Sequence, residues 1–141
     1  MSIQVKIIQS SSEMEKAFQI RTVVFVEEQK VPMNIEMDEF DKKSIHILAK
    51  WKNEDVGTAR WRKTSNGIKL ERFAVLKNFR NKQIGTALVK FALKQIEDTK
   101  KIYLNAQESV IKFYHQFGFI EEGSRFYEAN ISHKKMVLKK K

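Results

Sequence analysis

The segment Arg80-Asn81-Lys82-Gln83-Ile84-Gly85-Thr86 has the residue types and spacing of an anion site. It joins a strand-like run ending in Phe73-Ala74-Val75 to an apolar stripe, Ile84, Ala87, Leu88, Phe91 and Ala92, at helical spacing. The first four N–H groups of a helix have no internal partner, and the helix dipole adds partial positive charge at that end. Arg80 and Lys82 add full charges, and Gly85 allows a phosphate to approach the backbone closely. The same residues equally suit an ordinary helix start with solvated basic side chains. Glu71 is a second candidate. Period-2 spacing puts it on one strand face with Phe73 and Val75. Burial there would raise its carboxyl toward the range useful for accepting a proton. An ion pair with a neighbour such as Arg60 is the plainer reading.

These residues need elements to hold them. Ile3, Val5 and Ile7 alternate as a half-buried strand. Ser12 and Glu15 have capping-box spacing, which predicts a helix from Ser12 to near Glu28. Lys30–Lys43 is polar and acidic and reads as a loop with one helical turn. Three strands, Ile45–Trp51, Val56–Thr64 and Ile68–Val75, form an antiparallel meander turned at Asn53–Asp55 and Ser65-Asn66-Gly67. After the helix at Ile84 come a strand Lys101–Ala106 and a short helix from Ser109 to Phe117, stopped by Gly118. Strands Phe119–Glu121 and His133–Leu138 close the order. This is an α/β sandwich with a mixed sheet, not a repeated βαβ fold.

Composition bounds the function. The 141 residues suit one domain, 42% are apolar, and a lone proline and five glycines leave no flexible linker. With no cysteine, disulfides, thiolate metal sites and a cysteine nucleophile are excluded. The three histidines lack metal-ligand spacing, and Asp38–Asp41 lacks the ligand alternation of a calcium loop. No signal peptide or apolar span of membrane length is present, so a soluble cytoplasmic protein is expected. The net charge of +10 suits a polyanionic partner, nucleic acid or a phosphate-rich cofactor. Part of it is a lysine-rich end, Lys134, Lys135 and Lys139–Lys141, which reads as solvated.

The Arg80–Gly85 segment resembles the acetyl-CoA motif Q/R-x-x-G-x-G/A of the GNAT superfamily, with Arg80 and Gly85 matching and Gln83 in place of the first glycine. The resemblance extends along the chain. Arg21–Gln29 with Val31-Pro32, Asp38 and His46 are similar to the N-terminal signature of the ElaA/YjcF-like branch. Leu70–Val75, Leu104–Gln107, Phe113–Phe119 and Phe126–His133 resemble its later segments. It implies a three-layer α/β sandwich whose splayed central sheet receives acetyl-CoA. Phe73, Ala74, Val75, Arg80, Asn81, Lys82, Gln83, Ile84, Gly85, Thr86, Asn105 and Tyr114 would hold that co-substrate, without a metal. If Gln83 keeps helical φ, its N–H stays available. Tyr114 would protonate the departing thiolate, and Glu71 or His133 would take the amine proton. Arg21, Gln29, Gln107 and His133 would line the acceptor pocket, together with the charges of Glu28, Asp38 and Asp41.

Three functions fit. The foremost is acetyl transfer from acetyl-CoA to a primary amine, by direct attack because no cysteine can carry the acyl group. The acceptor is a small molecule or a protein amine, and a homodimer is left open. A non-catalytic acyl-CoA sensor is the second. Nucleic-acid binding is the weakest, because no recognition motif is present and the aromatics sit at core spacing.

Overall fold

The structure, a computed structural model, describes residues 2–97 and 100–139. Seven strands form one sheet: β1 (Ile3–Ile7), β2 (Ile45–Trp51), β3 (Glu54–Thr64), β4 (Gly67–Val75), β5 (Ile102–Gln107), β6 (Phe119–Glu128) and β7 (Ile131–Leu138). Their spatial order is β1-β2-β3-β4-β5-β7-β6, antiparallel except for the β4–β5 pair. The helices are α1 (Ser11–Arg21), α2 (Met33–Glu36), α3 (Ile84–Gln95) and α4 (Ile111–His115).

Two cores make the three layers. Ala17, Ile20 and Val24 pack on Leu48 and Ala74 on one face of the sheet. Ile84, Leu88, Val89 and Ala92 of α3 pack on Ile47, Val56, Ala59, Trp61 and Leu104 on the other. Each large side chain buried this way stabilises by about 1.5–3 kcal/mol, which is why the stripe read from the sequence fixes where α3 lies. No described helix is long and apolar enough to cross a membrane.

Several boundaries differ from expectation. Ser10 rather than Ser12 caps α1, accepting from the Glu13 N–H at 3.2 Å, while the Glu13 carboxylate accepts from the Gln9 N–H. The serine run offers the capping spacing twice, and the earlier pair is used. Helical structure does continue to Glu28, but over Thr22–Glu28 it widens to π-type turns, with Gln29 N–H donating to Val24 O. Two turns have positive φ at both central residues, Lys52-Asn53 and Ala129-Asn130, the type I′ signature. The first starts β3 two residues early, and the second carries β6 to Glu128 instead of Glu121. Lys134 and Lys135, counted with the lysine-rich end, lie in β7, as the expected strand His133–Leu138 requires. Lys140 and Lys141 lie outside the described residues.

Candidate active site

The sheet opens where its strand direction changes. β4 and β5 pair only through Ile68–Leu70 and Ile102–Leu104. Beyond these, Glu71–Val75 and Asn105–Gln107 line a cleft of about 830 Å³, within the size range of small-molecule and cofactor sites. A bulge helps part the strands. The β3–β4 register shifts between Thr58 and Arg60, and Arg72 opposite the shift has φ +60°. The extra residue also breaks the side-chain alternation. Arg60 pairs with Glu71 and Thr58 with Ala74, so Glu71 shares the α1 face with Ala74, while Phe73 and Val75 join the α3 core. The expectation that Glu71, Phe73 and Val75 share one face is therefore corrected.

The start of α3 faces this cleft. Its first intrahelical bond runs from Ala87 N–H to Gln83 O, so the N–H groups of Ile84, Gly85 and Thr86 precede the hydrogen-bond ladder. No side chain among the described residues caps them, and all three residues line the cleft with Arg80, Asn81 and Gln83. Gln83 does not keep helical φ. It is left-handed at φ +68°, and Asn81 is at φ +65°. Gln83 thus adopts a conformation that glycine reaches without strain, at a cost of about 1–2 kcal/mol. Gly85 has an additional steric role, because a Cβ there would lie 3.3 Å from the Phe113 ring.

Tyr114 borders the same cleft from α4. Its ring is boxed edge-on by Phe73, Phe113 and Phe119, with centroids 5.1–6.1 Å away. Burial pushes its phenol well above the ordinary value, so it stays protonated. Its hydroxyl has no hydrogen-bond partner among the described residues, and it is not a sealed polar atom. An anion-ready helix start and a buried, unpartnered phenol O–H therefore share one cleft between parted strands.

A family model described as an acetyltransferase (GNAT) domain matches residues 10–140. The chain belongs to the GNAT family of acetyltransferases. The N-acetyltransferase YjcF of Bacillus subtilis, itself uncharacterized, is 34% identical over 134 residues, covering 93% of this chain and 96% of that protein. The crystal structure of Escherichia coli ElaA superposes with a TM-score of 0.85 at 27% identity, over 97% of this chain and 99% of that one. An aminoglycoside 6′-N-acetyltransferase complexed with coenzyme A shares the fold, with a TM-score of 0.76, 17% identity and 98% coverage of both chains. This GNAT protein is thus an acyltransferase with a mixed, open sheet.

Most residues singled out from the sequence meet at the GNAT cleft. Phe73, Ala74, Val75, Asn105, Gln107, Gln29 and His133 all line it. Gln107 donates to the Gln29 side chain at 2.8 Å, tying β5 to the end of the π-type turns. Four expected residues have other engagements. The Lys82 ammonium sits over the Trp51 ring, 5.3 Å from its centroid, and does not line the cleft. Arg21 is buried, bonded to Glu36 and Asp41. It is a structural cation, not part of the cleft wall. Asp38 and Asp41 are likewise consumed by Arg60.

Glu71 is also neutralised. Arg60, Arg62 and Lys69 reach its carboxylate at 2.9, 2.7 and 3.1 Å. Burial alone would raise its carboxyl, but the Arg62 hydrogen bond and the charges of Arg60 and Lys69 outweigh this and hold it at about 2. That shift is opposite to the one expected from burial, and it leaves a weak base. Sequence reasoning missed Arg72 and Glu36. They join the bulge to α2 through a 2.8 Å ion pair, and only the positive φ of Arg72 exposes the link.

Proposed function

We propose that the chain transfers an acetyl group from acetyl-CoA to a primary amine by direct attack in a ternary complex. The observation that carries this reading is the pairing, in one cleft, of the uncapped α3 start with the unpartnered Tyr114 hydroxyl. The N–H groups of Ile84, Gly85 and Thr86, aided by the α3 dipole, bind the phosphates. Asn105, left without a β4 partner, offers its side chain to the pantetheine amides in the gap between the strands. Phe73, Phe113 and Phe119 hold the Tyr114 ring so that its O–H donates to the leaving sulfur. The coenzyme A complex of the aminoglycoside-modifying fold relative supports the choice of co-substrate. The acceptor enters beside Gln29, Gln107 and His133.

Binding and turnover test the proposal separately. Acetyl-CoA at about 100 times its Kd should stabilise the fold by about 2.7 kcal/mol, raising the Tm by about 5 °C or more. Thiol release with a panel of primary amines then reads transfer. An unchanged Tm at millimolar acetyl-CoA would sink the reading, and binding without thiol release would favour an acyl-CoA sensor.

A further inference from the structure

Most ionisable groups around the cleft are already paired. Glu28 is held by Arg80, Glu36 by Arg21 and Arg72, and Glu71 by Arg60, Arg62 and Lys69. Tyr114 is fixed in its protonated form by burial. Two lining groups that can accept a proton have no such partner among the described residues, Glu128 and His133. Glu128 is exposed beside the β6–β7 turn. His133 is half-buried on β7, directly opposite Gln107 of β5.

The His133 ring is fixed twice. Its Nδ1 lies 2.7 Å from the Ile131 carbonyl oxygen. A carbonyl only accepts, so Nδ1 carries a hydrogen, and in the neutral form of the ring the lone pair is on Nε2. The ring stacks on Phe126 with centroids 5.7 Å apart and planes 21° from parallel. A cleft-lining imidazole whose Nδ1 is engaged with a carbonyl offers Nε2 as its basic nitrogen, the form of a general base.

We infer that His133 is the catalytic base, with Nε2 taking the proton of the attacking amine. The inference rests on the acetyl-transfer reading above. The amine nitrogen forms its bond to the acyl carbon and releases a proton to Nε2. The carbon–sulfur bond breaks, and the sulfur takes the Tyr114 phenol proton. The imidazolium proton returns to the phenolate through water, restoring both side chains. Glu71 has no part in proton transfer.

His133→Asn keeps an amide N–H for the Ile131 carbonyl and removes the basic nitrogen. The test uses acetyl-CoA with spermidine, an aminoglycoside, glycine, a short peptide and hydrazine as probe amines. With any amine that the parent acetylates, His133→Asn should lower kcat by about 100-fold or more. The acetyl-CoA-dependent Tm shift should match that of the parent, which also shows that the variant folds. If His133→Asn destabilises the chain, His133→Gln replaces it in the same assay. A loss under about threefold overturns the inference. The ¹⁵N spectrum of the histidine rings gives a readout independent of turnover. The signal lost in His133→Asn should show a hydrogen on Nδ1 and none on Nε2 at pH 8, and the opposite tautomer overturns the inference. An unshifted parent Tm with acetyl-CoA rejects the co-substrate reading itself. A parent that binds acetyl-CoA but acetylates no probe amine overturns both proposals at the transfer step.

Discussion

Arg80 grips Glu28 with two hydrogen bonds of 2.7 Å, while its Nε donates to the Val75 carbonyl at 2.9 Å. One guanidinium thus ties the end of β4 to the end of the π-type turns, and all three residues line the cleft. Its charge is already matched, and the Glu28 carboxyl is held low mainly by that hydrogen bond. In the proposed reading, phosphate binding therefore depends on backbone N–H groups more than on this cation. Arg80→Ala should weaken acetyl-CoA binding less than about tenfold, as befits a half-exposed pair. Glu28→Gln should act in the opposite sense. It frees Arg80 and removes a carboxylate from the phosphate side, tightening binding about 2–5-fold at low salt and less at high salt. Calorimetric titration at two ionic strengths checks both signs.

Gln83 gives a second test of the same backbone site. Its φ of +68° is natural for glycine and nearly closed to a β-branched residue. Gln83→Gly should leave acetyl-CoA affinity unchanged or tighter, with Tm slightly raised as strain relief exceeds the entropy cost. Gln83→Val should destabilise by about 1–2 kcal/mol and weaken binding by turning the α3 N–H groups out of register. Equal affinity for parent and valine variant would show that this backbone conformation does not matter for binding.

The residues that converge on the cleft were legible wherever hydrophobic period or local chain order decides the outcome. The Ile84–Ala92 stripe places α3, and the Arg80–Thr86 turn then has to lie at the sheet opening. What escaped was decided by backbone irregularity. The Arg72 bulge has no glycine to announce it, yet it moves Glu71 to the opposite face from Phe73. The Ala129-Asn130 turn likewise lacks the glycine that usually marks a two-residue hairpin, so most of β6 went unseen. The acidic segment after Pro32 looked available for an amine substrate. The charges of Glu36, Asp38 and Asp41 are spent on Arg21, Arg60 and Arg72, which come from three separate elements and meet only in the fold.

The ion pairs of Glu71 set an acid limit on stability. Its folded carboxyl titrates at about 2, against 4.5 ordinarily, so the unfolded chain binds the proton more readily. The stabilisation is fully present above pH 4.5 and is lost as pH falls toward 2. By linkage it amounts to about 3 kcal/mol. Glu71→Gln should flatten the fall in urea midpoint between pH 5 and pH 2.5. At pH 7 it should also cost about 3 kcal/mol, because it leaves buried Arg60 one carboxylate short. If Glu71 were instead the base, the variant would lose turnover without this loss of acid-dependent stability.

Tyr114 separates chemistry from binding most cleanly. Its ring is packed by three aromatic neighbours, and its hydroxyl has no partner among the described residues. Tyr114→Phe keeps the ring contacts and removes a polar atom that the fold does not use, so the Tm should change by no more than about 1–2 °C. The proposed proton to sulfur is lost, so kcat should fall on the order of 10²-fold, with the Kd for acetyl-CoA within about twofold. A thioester with a better leaving thiol needs less protonation of the sulfur. An acetyl thioester of an electron-poor aryl thiol should therefore show a smaller difference between parent and variant than acetyl-CoA does. Equal losses with both thioesters would assign Tyr114 to positioning the substrate instead of protonating the sulfur.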